Sequence, residues 1–410
     1  MLRRWMLMPV FGLAGLAQAA PLGFSAALER AERESPNLSA RAAQIDADRS
    51  AALAADALPD PKLALGVDSL PISGAAGWSL TRDSMTARRI ALMQEVPNAD
   101  KRRARAATAS ATVARSEAER RVERSRVRRE TALAWINRHT LERRLALFDE
   151  LEGENRLLAG TVRAQLAAGR GQAADAVMPR QEAAQLADRR DELGRDLAKA
   201  KAVLRRFVGD AADEPLDGDA PELPIDAARL REHAQHHPEI EVFTPQARVA
   251  EAQLREAEST KKPDWGVEVG YLKRGSQFGD MVSLQFSFDL PVFSGSRQDP
   301  QIAAKRREVD RVGAEREAML RDHLADLEAD LAEYQALSRQ LERIKAAWLP
   351  LAAEKVDLLL AGYRAGRGEV APLIAARREL IDQRLRAIDV EGQRQGVAAR
   401  LHYAYGETEP

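Results

Sequence analysis

Three neighbouring histidines are the residues whose type and spacing come closest to chemistry in this chain. His233, His236 and His237 fall within one short segment, and neutral imidazoles are common ligands of zinc. They are followed by a proline and lack a carboxylate at ligand spacing, so we expect adventitious metal binding and no metal site. The chain also has no serine–histidine triad spacing, no phosphate-binding glycine loop after a strand and no paired catalytic carboxylates. We therefore predict no enzyme, no catalytic residues and no cofactor.

Two short glycine-containing motifs are nearly identical. Ala168-Gly169-Arg170-Gly171 returns 197 positions later as Ala365-Gly366-Arg367-Gly368, each time after a long proline-poor stretch and before another helical pattern. Glycine permits the left-handed backbone that a tight helical reversal requires. The motifs predict two turns at helix ends, with Arg170 and Arg367 pointing outward.

Further landmarks repeat in the same order. They comprise two starts of helices, two starts of strands and two ends of strands, with offsets of 194 to 204 positions: Ser35-Pro36 and His237-Pro238, Pro59-Asp60 and Pro263-Asp264, Val96-Pro97 and Leu290-Pro291. A period this long is typical of a duplicated gene segment and not of a solenoid repeat. We predict two repeats, residues 20–215 and 216–410.

Two long proline-free stretches predict very long helices. They run from Asn98 to Met178 and from Gln301 to Leu349, and are rich in good helix formers. A helix from near Asn98 to near Ala168 would be about 100 Å long. In the second stretch an apolar stripe has a mean spacing typical of a coiled coil, with one slip near Tyr334 that predicts a stammer: Leu320, Leu324, Leu327, Leu331, Tyr334, Leu337, Leu341, Ile344, Trp348. Each half should form one long antiparallel helical hairpin.

Four segments alternate between apolar and polar residues. The clearest is 282–290, its partner is 267–271, and weaker counterparts are 63–67 and 85–96. Strands of roughly ten residues with one apolar face are typical of outer-membrane barrels, although sandwich strands look similar. Four strands cannot close a barrel, and open edges are not tolerated in lipid. If these strands lie in a membrane, several copies of the chain must share one barrel.

The amino terminus predicts export. Arg3 and Arg4 precede the short apolar segment 5–16, and Ala17-Gln18-Ala19 has the small residues of a cleavage site. We expect a signal peptide of residues 1–19. Its removal changes the formal net charge from −1 to −3, and the arginine-rich stretch 102–129 is interleaved with glutamates, so we expect no nucleic-acid partner. The chain has no cysteine, which excludes disulfides and an amino-terminal lipid anchor.

The order of signal peptide, helix, strand pair, long helix, glycine turn and helix, with everything after the signal peptide duplicated, resembles the TolC family of outer-membrane efflux channels. The most specific segments are Tyr363–Gly368, before the last helix, and Phe288–Phe293, where the last strand ends. The resemblance implies a mainly α-helical homotrimer with four strands per chain in a 12-stranded barrel in outer-membrane lipid. It further implies a coiled-coil tunnel in the periplasm that docks against a periplasmic adaptor and an inner-membrane pump.

A narrower resemblance is to the heavy-metal branch of this family, the CzcC/CusC-like channels. It rests on the segments 68–71, 81–86 and 93–102. The branch implies heavy-metal cations as cargo of an RND-type tripartite pump, and drugs or other small molecules remain the alternative. The missing cysteine departs from the lipidated relatives of this branch.

The resemblance also assigns roles to the turn residues. Arg170 and Arg367 would contact the adaptor, with plain solubility as the alternative. The family narrows its periplasmic entrance with acidic residues after the second turn, where this chain has Pro372 and Ala375. Asp175 and Glu369 are the remaining candidates for carboxylates that hold cations around a trimer axis. Their alternative role is interaction with a helix dipole.

A second class of function stays open. A periplasmic coiled-coil adaptor or structural spacer, whose strands form a small soluble sheet, would also carry long helices. Such an adaptor would normally have one central helical hairpin flanked by β domains. The two hairpins predicted here favour the channel.

Overall fold

The computed structural model of the chain describes residues 21–405 and is mainly helical, with a small sheet. The predicted signal peptide lies outside the described residues. Ten α-helices are named in chain order: α1 Phe24–Glu34, α2 Pro36–Ala54, α3 Ala99–Ala167, α4 Met178–Val208, α5 Ala227–His233, α6 Pro238–Glu241, α7 Phe243–Ser259, α8 Gln298–Arg343, α9 Leu349–Arg364 and α10 Val370–Tyr405. Within residues 21–405, no helix combines the length and the apolar character needed to cross a membrane.

Six strands accompany these helices. They are β1 Leu22–Gly23, β2 Lys62–Asp68, β3 Ala87–Val96, β4 Leu216–Asp217, β5 Trp265–Lys273 and β6 Met281–Phe288. The short strands β1 and β4 pair in parallel, and the other four form an antiparallel sheet in the order β2-β3-β5-β6. The two predicted strand pairs are confirmed, and they join into one sheet.

The described residues divide into two compact units. One, here called the helical unit, comprises residues 21–35, Val127–Ile225 and Asp330–Tyr403. The other, the sheet unit, comprises Pro36–Arg126, Asp226–Ala329 and residues 404–405. Each unit takes segments from both predicted repeats, because α3 and α8 each pass from one unit into the other.

The 69-residue helix α3 confirms the predicted long helix. It begins after Pro97, where the side chain of Asn98 accepts a hydrogen bond from the Lys101 amide at 2.9 Å and caps the first turn. The Asn98 amide in turn donates to the Asp264 carboxylate at 2.8 Å, and the Lys101 ammonium lies 2.6 Å from the other oxygen of Asp264. One carboxylate just before β5 therefore holds the start of α3 in the sheet unit.

Apolar residues on the helices form the cores. Two clusters lie in the helical unit, and one lies in the sheet unit between α7 and α8. The fully or almost fully buried members include Phe148, Leu151, Val162, Leu373 and Val312. Burial of one such side chain stabilises the folded protein by roughly 1.5–3 kcal/mol. These apolar clusters therefore hold the helices together.

Helix α8 continues without a break through Tyr334, where the sequence predicts a stammer. A π-helical turn follows at Ile344–Trp348, where the Leu349 amide bonds to the Ile344 carbonyl. It ends two residues before Pro350, whose ring would clash with the Ala346 carbonyl in a regular α-helix. The wider turn shifts the phase of the stripe, and Trp348 is 52% exposed.

Candidate functional site: the helix turns and the sheet

The first glycine turn ends α3 with a Schellman motif. The Arg170 amide donates to the Gln165 carbonyl at 2.9 Å, and the Gly169 amide donates to the Leu166 carbonyl at 3.0 Å. Gly169 has φ +71°, the left-handed conformation that this motif needs. Backbone amides thus satisfy the carbonyls of Gln165 and Leu166 at the end of this 69-residue helix.

The second turn repeats this geometry after α9. The Arg367 amide donates to the Gly362 carbonyl and the Gly366 amide to the Tyr363 carbonyl, both at 3.0 Å. Gly366 has φ +74°. The repeated tetrapeptides therefore have the same hydrogen-bonding pattern as well as the same sequence.

The second glycine of each tetrapeptide differs between the turns. Gly171 has φ +118°, whereas Gly368 has no positive φ. A Cβ on Gly368 would lie 3.3 Å from the Tyr363 nitrogen, so this glycine allows a close backbone approach. The expectation of a left-handed backbone thus holds for three of the four glycines. At Gly368 a side chain is disfavoured because the backbone of Tyr363 lies too close.

The two turns lie beside each other in the helical unit. The Gln165 side chain donates to the Arg364 carbonyl at 3.0 Å. The Arg170 side chain passes over the second turn, with its Cδ 3.3 Å from the position of a Cβ on Gly366. Arg170 and Arg367 are both exposed. We call residues 169–171 and 366–368 together the tip surface.

The two candidate entrance carboxylates have different surroundings. Asp175 accepts a hydrogen bond from the Gln172 amide at 2.9 Å and forms a reciprocal capping box with that residue. Burial, helped by the negative charge of Asp175, raises the pKa of Tyr363. Glu369 is exposed and directly precedes α10. Asp175 therefore has a clear structural role, while the Glu369 carboxylate faces solvent at a helix start.

A buried charged pair near the turns had not been predicted. Glu182 on α4 is 2% exposed, and its Oε1 lies 3.7 Å from Arg377 Nε on α10. The available signal was weak: Glu182 interrupts an apolar series on α4 that includes Leu186 and Leu193. The sequence of α4 alone does not show which residue faces Glu182. The ion pair becomes visible only when the position of α10 beside α4 is known.

The four-stranded sheet has one apolar face that is open to the surroundings. Two adjacent rows across all four strands are Leu65, Ile90, Tyr271, Val282 and Leu63, Leu92, Val269, Leu284. These side chains are between 44% and 72% exposed. The register also shows why the alternation of apolar and polar residues is weak in segment 85–96. Arg88 and Arg89 are adjacent and therefore lie on opposite faces of the sheet, so one arginine is on the apolar face.

The opposite face of the sheet carries mainly polar or small residues, and its large apolar side chains include Met93, Leu272 and Met281. One row reads Ala64, Ala91, Gly270 and Ser283, and another reads Lys62, Met93, Glu268 and Gln285. Arg89 donates a hydrogen bond to Glu268 across β3 and β5. The sheet therefore separates an apolar surface from a polar one, and within residues 21–405 its edge strands β2 and β6 each pair on one side.

One sequence comparison relates the second part of the chain to a known family. Residues 230–407 match the family described as outer membrane efflux protein. The match covers 178 of the 410 residues of the chain. Members of this family are passive channels of the outer membrane. The matched residues include β5, β6, α8, α9, the second turn and α10.

Solved structures show the same fold over nearly the whole chain. A membrane protein from Pseudomonas aeruginosa has a TM-score of 0.81 at 19% identity, covering 93% of this chain and 90% of that one. CusC has 0.79 at 16%, covering 94% and 92%. The outer membrane protein VceC from Vibrio cholerae has 0.78 at 17%, covering 93% and 96%. No curated protein matches the chain.

Proposed function

We propose that this protein is the outer-membrane channel subunit of a tripartite efflux system and acts as a homotrimer. The observation that carries the proposal is the sheet, with its exposed apolar face, its polar face and its two edge strands. An apolar face of this size is stable in lipid and unfavourable in water. The polar face then lines a water-filled pore.

The directions of the edge strands support a shared barrel. Each neighbouring pair in the order β2-β3-β5-β6 is antiparallel, so β2 and β6 run in opposite directions. When β6 of one copy pairs with β2 of the next, the antiparallel pattern continues and no edge is exposed to lipid. Three copies give the 12 strands that the TolC resemblance implies.

The helices form the periplasmic tunnel in this proposal. Each of the repeats 20–215 and 216–410 supplies one helical hairpin that ends at a glycine turn, and the matching hydrogen bonds of the two turns support this division. A trimer would then contain six such hairpins around one pore.

The tip surface is the proposed docking site for the adaptor, which connects the channel to the inner-membrane pump. Arg170 and Arg367 are exposed there, on turns whose backbone is fixed by hydrogen bonds. Rigid positioning of two cationic side chains suits an acidic partner surface. Glu369, exposed beside the second turn, is a better candidate than the capped Asp175 for an acidic group at the tunnel entrance.

Heavy-metal cations are the proposed cargo. The segments that resemble the CzcC/CusC-like branch and the likeness to CusC support this choice. Deletion of the gene should sensitise cells to copper, silver, zinc, cobalt or cadmium salts. Unchanged metal sensitivity together with new sensitivity to dyes or antibiotics would assign the channel to drug efflux.

Neighbouring residues on β6 offer a matched test of the channel itself. Leu284 is 62% exposed on the apolar face, and Gln285 lies on the polar face. A lysine on the lipid face of a barrel costs about 2–4 kcal/mol near the bilayer midplane. Leu284→Lys should therefore abolish recovery of trimer from outer membranes, whereas Gln285→Lys should leave it intact.

The same preparation distinguishes the channel from a periplasmic adaptor or spacer. The wild-type protein should require detergent and have the mass of three chains. A monomer released by osmotic shock and soluble without detergent would contradict the proposal.

A further inference from the structure

Two histidines and a glutamate from distant parts of the sequence meet in the sheet unit. His237 and Glu239 lie at the start of α6, and His323 lies on α8. His323 Nε2 is 3.1 Å from Glu239 Oε2, and the two imidazole rings are 4.2 Å apart between centroids. One possible ligand atom from each residue lies within 4.8 Å of those of the other two.

The cluster is shielded on one side and accessible on the other. His237 is 3% exposed, the side chain of His323 is 11% exposed and that of Glu239 is 33% exposed. The ring of Tyr405 lies 5.5 Å from His237, and its hydroxyl donates to the His323 carbonyl at 3.0 Å. The two imidazoles are thus held close together by the packing around them, and Glu239 is the most exposed member of the cluster.

We propose that His237, Glu239 and His323 bind a divalent transition-metal cation of the zinc type. Two imidazole nitrogens and one carboxylate oxygen are a donor set that suits Zn²⁺, Co²⁺ or Cu²⁺ and discriminates against Ca²⁺ and Mg²⁺. Three protein ligands leave a fourth position for water. Metal–ligand bonds of about 2.0–2.2 Å require the three ligand atoms to approach one another, and the partly exposed Glu239 side chain has room for this movement.

Binding must change the hydrogen bonding of His237. Its Nδ1 accepts a hydrogen bond from the Glu239 amide at 3.1 Å and caps α6, so in the neutral ring the proton resides on Nε2. If Nε2 binds the metal, that proton moves to Nδ1, which then cannot accept. If Nδ1 binds it, its lone pair is used. In either case the Glu239 amide loses its hydrogen bond to His237 Nδ1. The loss of this hydrogen bond is a change that can be measured when metal binds.

The bound ion would connect residues 237–239 with His323, which are more than 80 positions apart in the chain. It would act as a structural cross-link within the sheet unit. This role does not depend on which cargo the channel carries, since the site is formed inside one chain.

The test uses the full-length protein in detergent, stripped of metal with a chelator and titrated with Zn²⁺ and Co²⁺. We expect one tight site per chain, visible d–d absorption bands of tetrahedral Co²⁺, and a higher thermal midpoint on addition of Zn²⁺. Loss of protection of the Glu239 amide in hydrogen exchange should accompany binding.

Three variants decide whether the site is the proposed one. Glu239→Gln and His323→Ala should each abolish the Co²⁺ bands and the zinc-induced thermal shift. His236→Ala, at an exposed neighbour, should keep both. Since His323→Ala removes a largely buried ring, Glu239→Gln provides a test that leaves the packing intact. Binding that survives Glu239→Gln, that is lost in His236→Ala, or that is absent from the wild-type protein would overturn the proposal.

Discussion

Glu182 Oε1 on α4 and Arg377 Nε on α10 lie 3.7 Å apart. The two groups form an ion pair, but the distance is too long for a hydrogen bond. Glu182 is 2% exposed, and in the part of the chain that the structure describes neither of its carboxylate oxygens accepts a hydrogen bond. Arg377 also lies 3.6 Å from Glu154. The arginine therefore has a second carboxylate nearby, whereas the buried glutamate interacts with its arginine neighbours through their charges alone.

Glu182→Gln should raise the free energy of unfolding at neutral pH. Burial raises the pKa of Glu182 above its usual value, and the charge of Arg377 only partly opposes this. The folded state thus binds the proton more tightly than the unfolded state, so stability falls as pH rises from about the ordinary pKa of glutamate through the folded value. The neutral amide removes this loss, and urea unfolding at pH 7 and pH 4 measures the difference between the two proteins.

The matched control is Glu379→Gln, at an exposed carboxylate 2.8 Å from Lys355. Exposed pairs contribute about 0–1 kcal/mol, so little change is expected at either pH. A Glu182→Gln protein that is less stable than wild type at pH 7 would show that the Arg377 attraction outweighs burial.

Gly392→Ala should destabilise the packing of α10 against α3. A Cβ at this position would lie 2.3 Å from Thr140 Oγ1 and 2.6 Å from its Cγ2. Relief of such a clash typically costs about 1–3 kcal/mol. Thermal unfolding followed by circular dichroism measures the loss, and addition of Thr140→Ala should restore most of it.

Gly396 provides the control one turn further along the same helix. Its added Cβ would lie 3.8 Å from the nearest atom, Leu133 Cδ2, which is ordinary contact. Gly396→Ala should therefore stabilise the helix by up to about 1 kcal/mol. Equal effects at the two positions would contradict the close approach at Thr140.

His139 should make the protein less stable as the pH falls, whereas Glu182 should make it less stable as the pH rises. Its ring stacks on Trp135 with 5.0 Å between centroids, and burial, followed by the charge of Arg143, lowers the pKa of His139. The unfolded state therefore binds the proton more tightly, and stability falls as pH drops below about 6.5, the ordinary histidine value. His139→Phe should flatten this dependence in unfolding measurements between pH 7.5 and 5.

The exposed His236 is the control for that pH series. His236→Asn should leave the pH dependence of unfolding unchanged, because this side chain is exposed to solvent in the folded protein. An unaltered slope in His139→Phe would show that this buried ring is not the group responsible.

The sequence predicted those parts of the fold that depend on short-range patterns. Proline-free runs rich in alanine and leucine identified α3, and strict alternation identified β6, because helix and strand periods are properties of neighbouring residues. The repeated tetrapeptides identified both turns, since a left-handed residue at a helix end favours glycine.

Features that join distant segments could not be predicted. His237 was grouped with His233 and His236 by position, whereas the structure places it beside Glu239 and His323. That neighbour is set by the register between α6 and α8, which no local pattern encodes. The same holds for Glu182 and Arg377, and for Gly368, whose need for space comes from the path of the chain around Tyr363.

Gly169→Ala should destabilise the first turn through backbone conformation alone. Gly169 has φ +71°, and a Cβ there would meet no atom within 4 Å, so sterics play no part. An L-residue in the left-handed region costs roughly 1–2 kcal/mol, and asparagine tolerates it better, so Gly169→Asn should lose less than Gly169→Ala. Gly160, within α3 and equally unhindered, should respond to alanine with a gain in stability. Urea unfolding of the three variants gives the order Gly160→Ala, Gly169→Asn, Gly169→Ala from most to least stable. If Gly169→Ala were as stable as Gly160→Ala, the Schellman geometry would not be what ends α3.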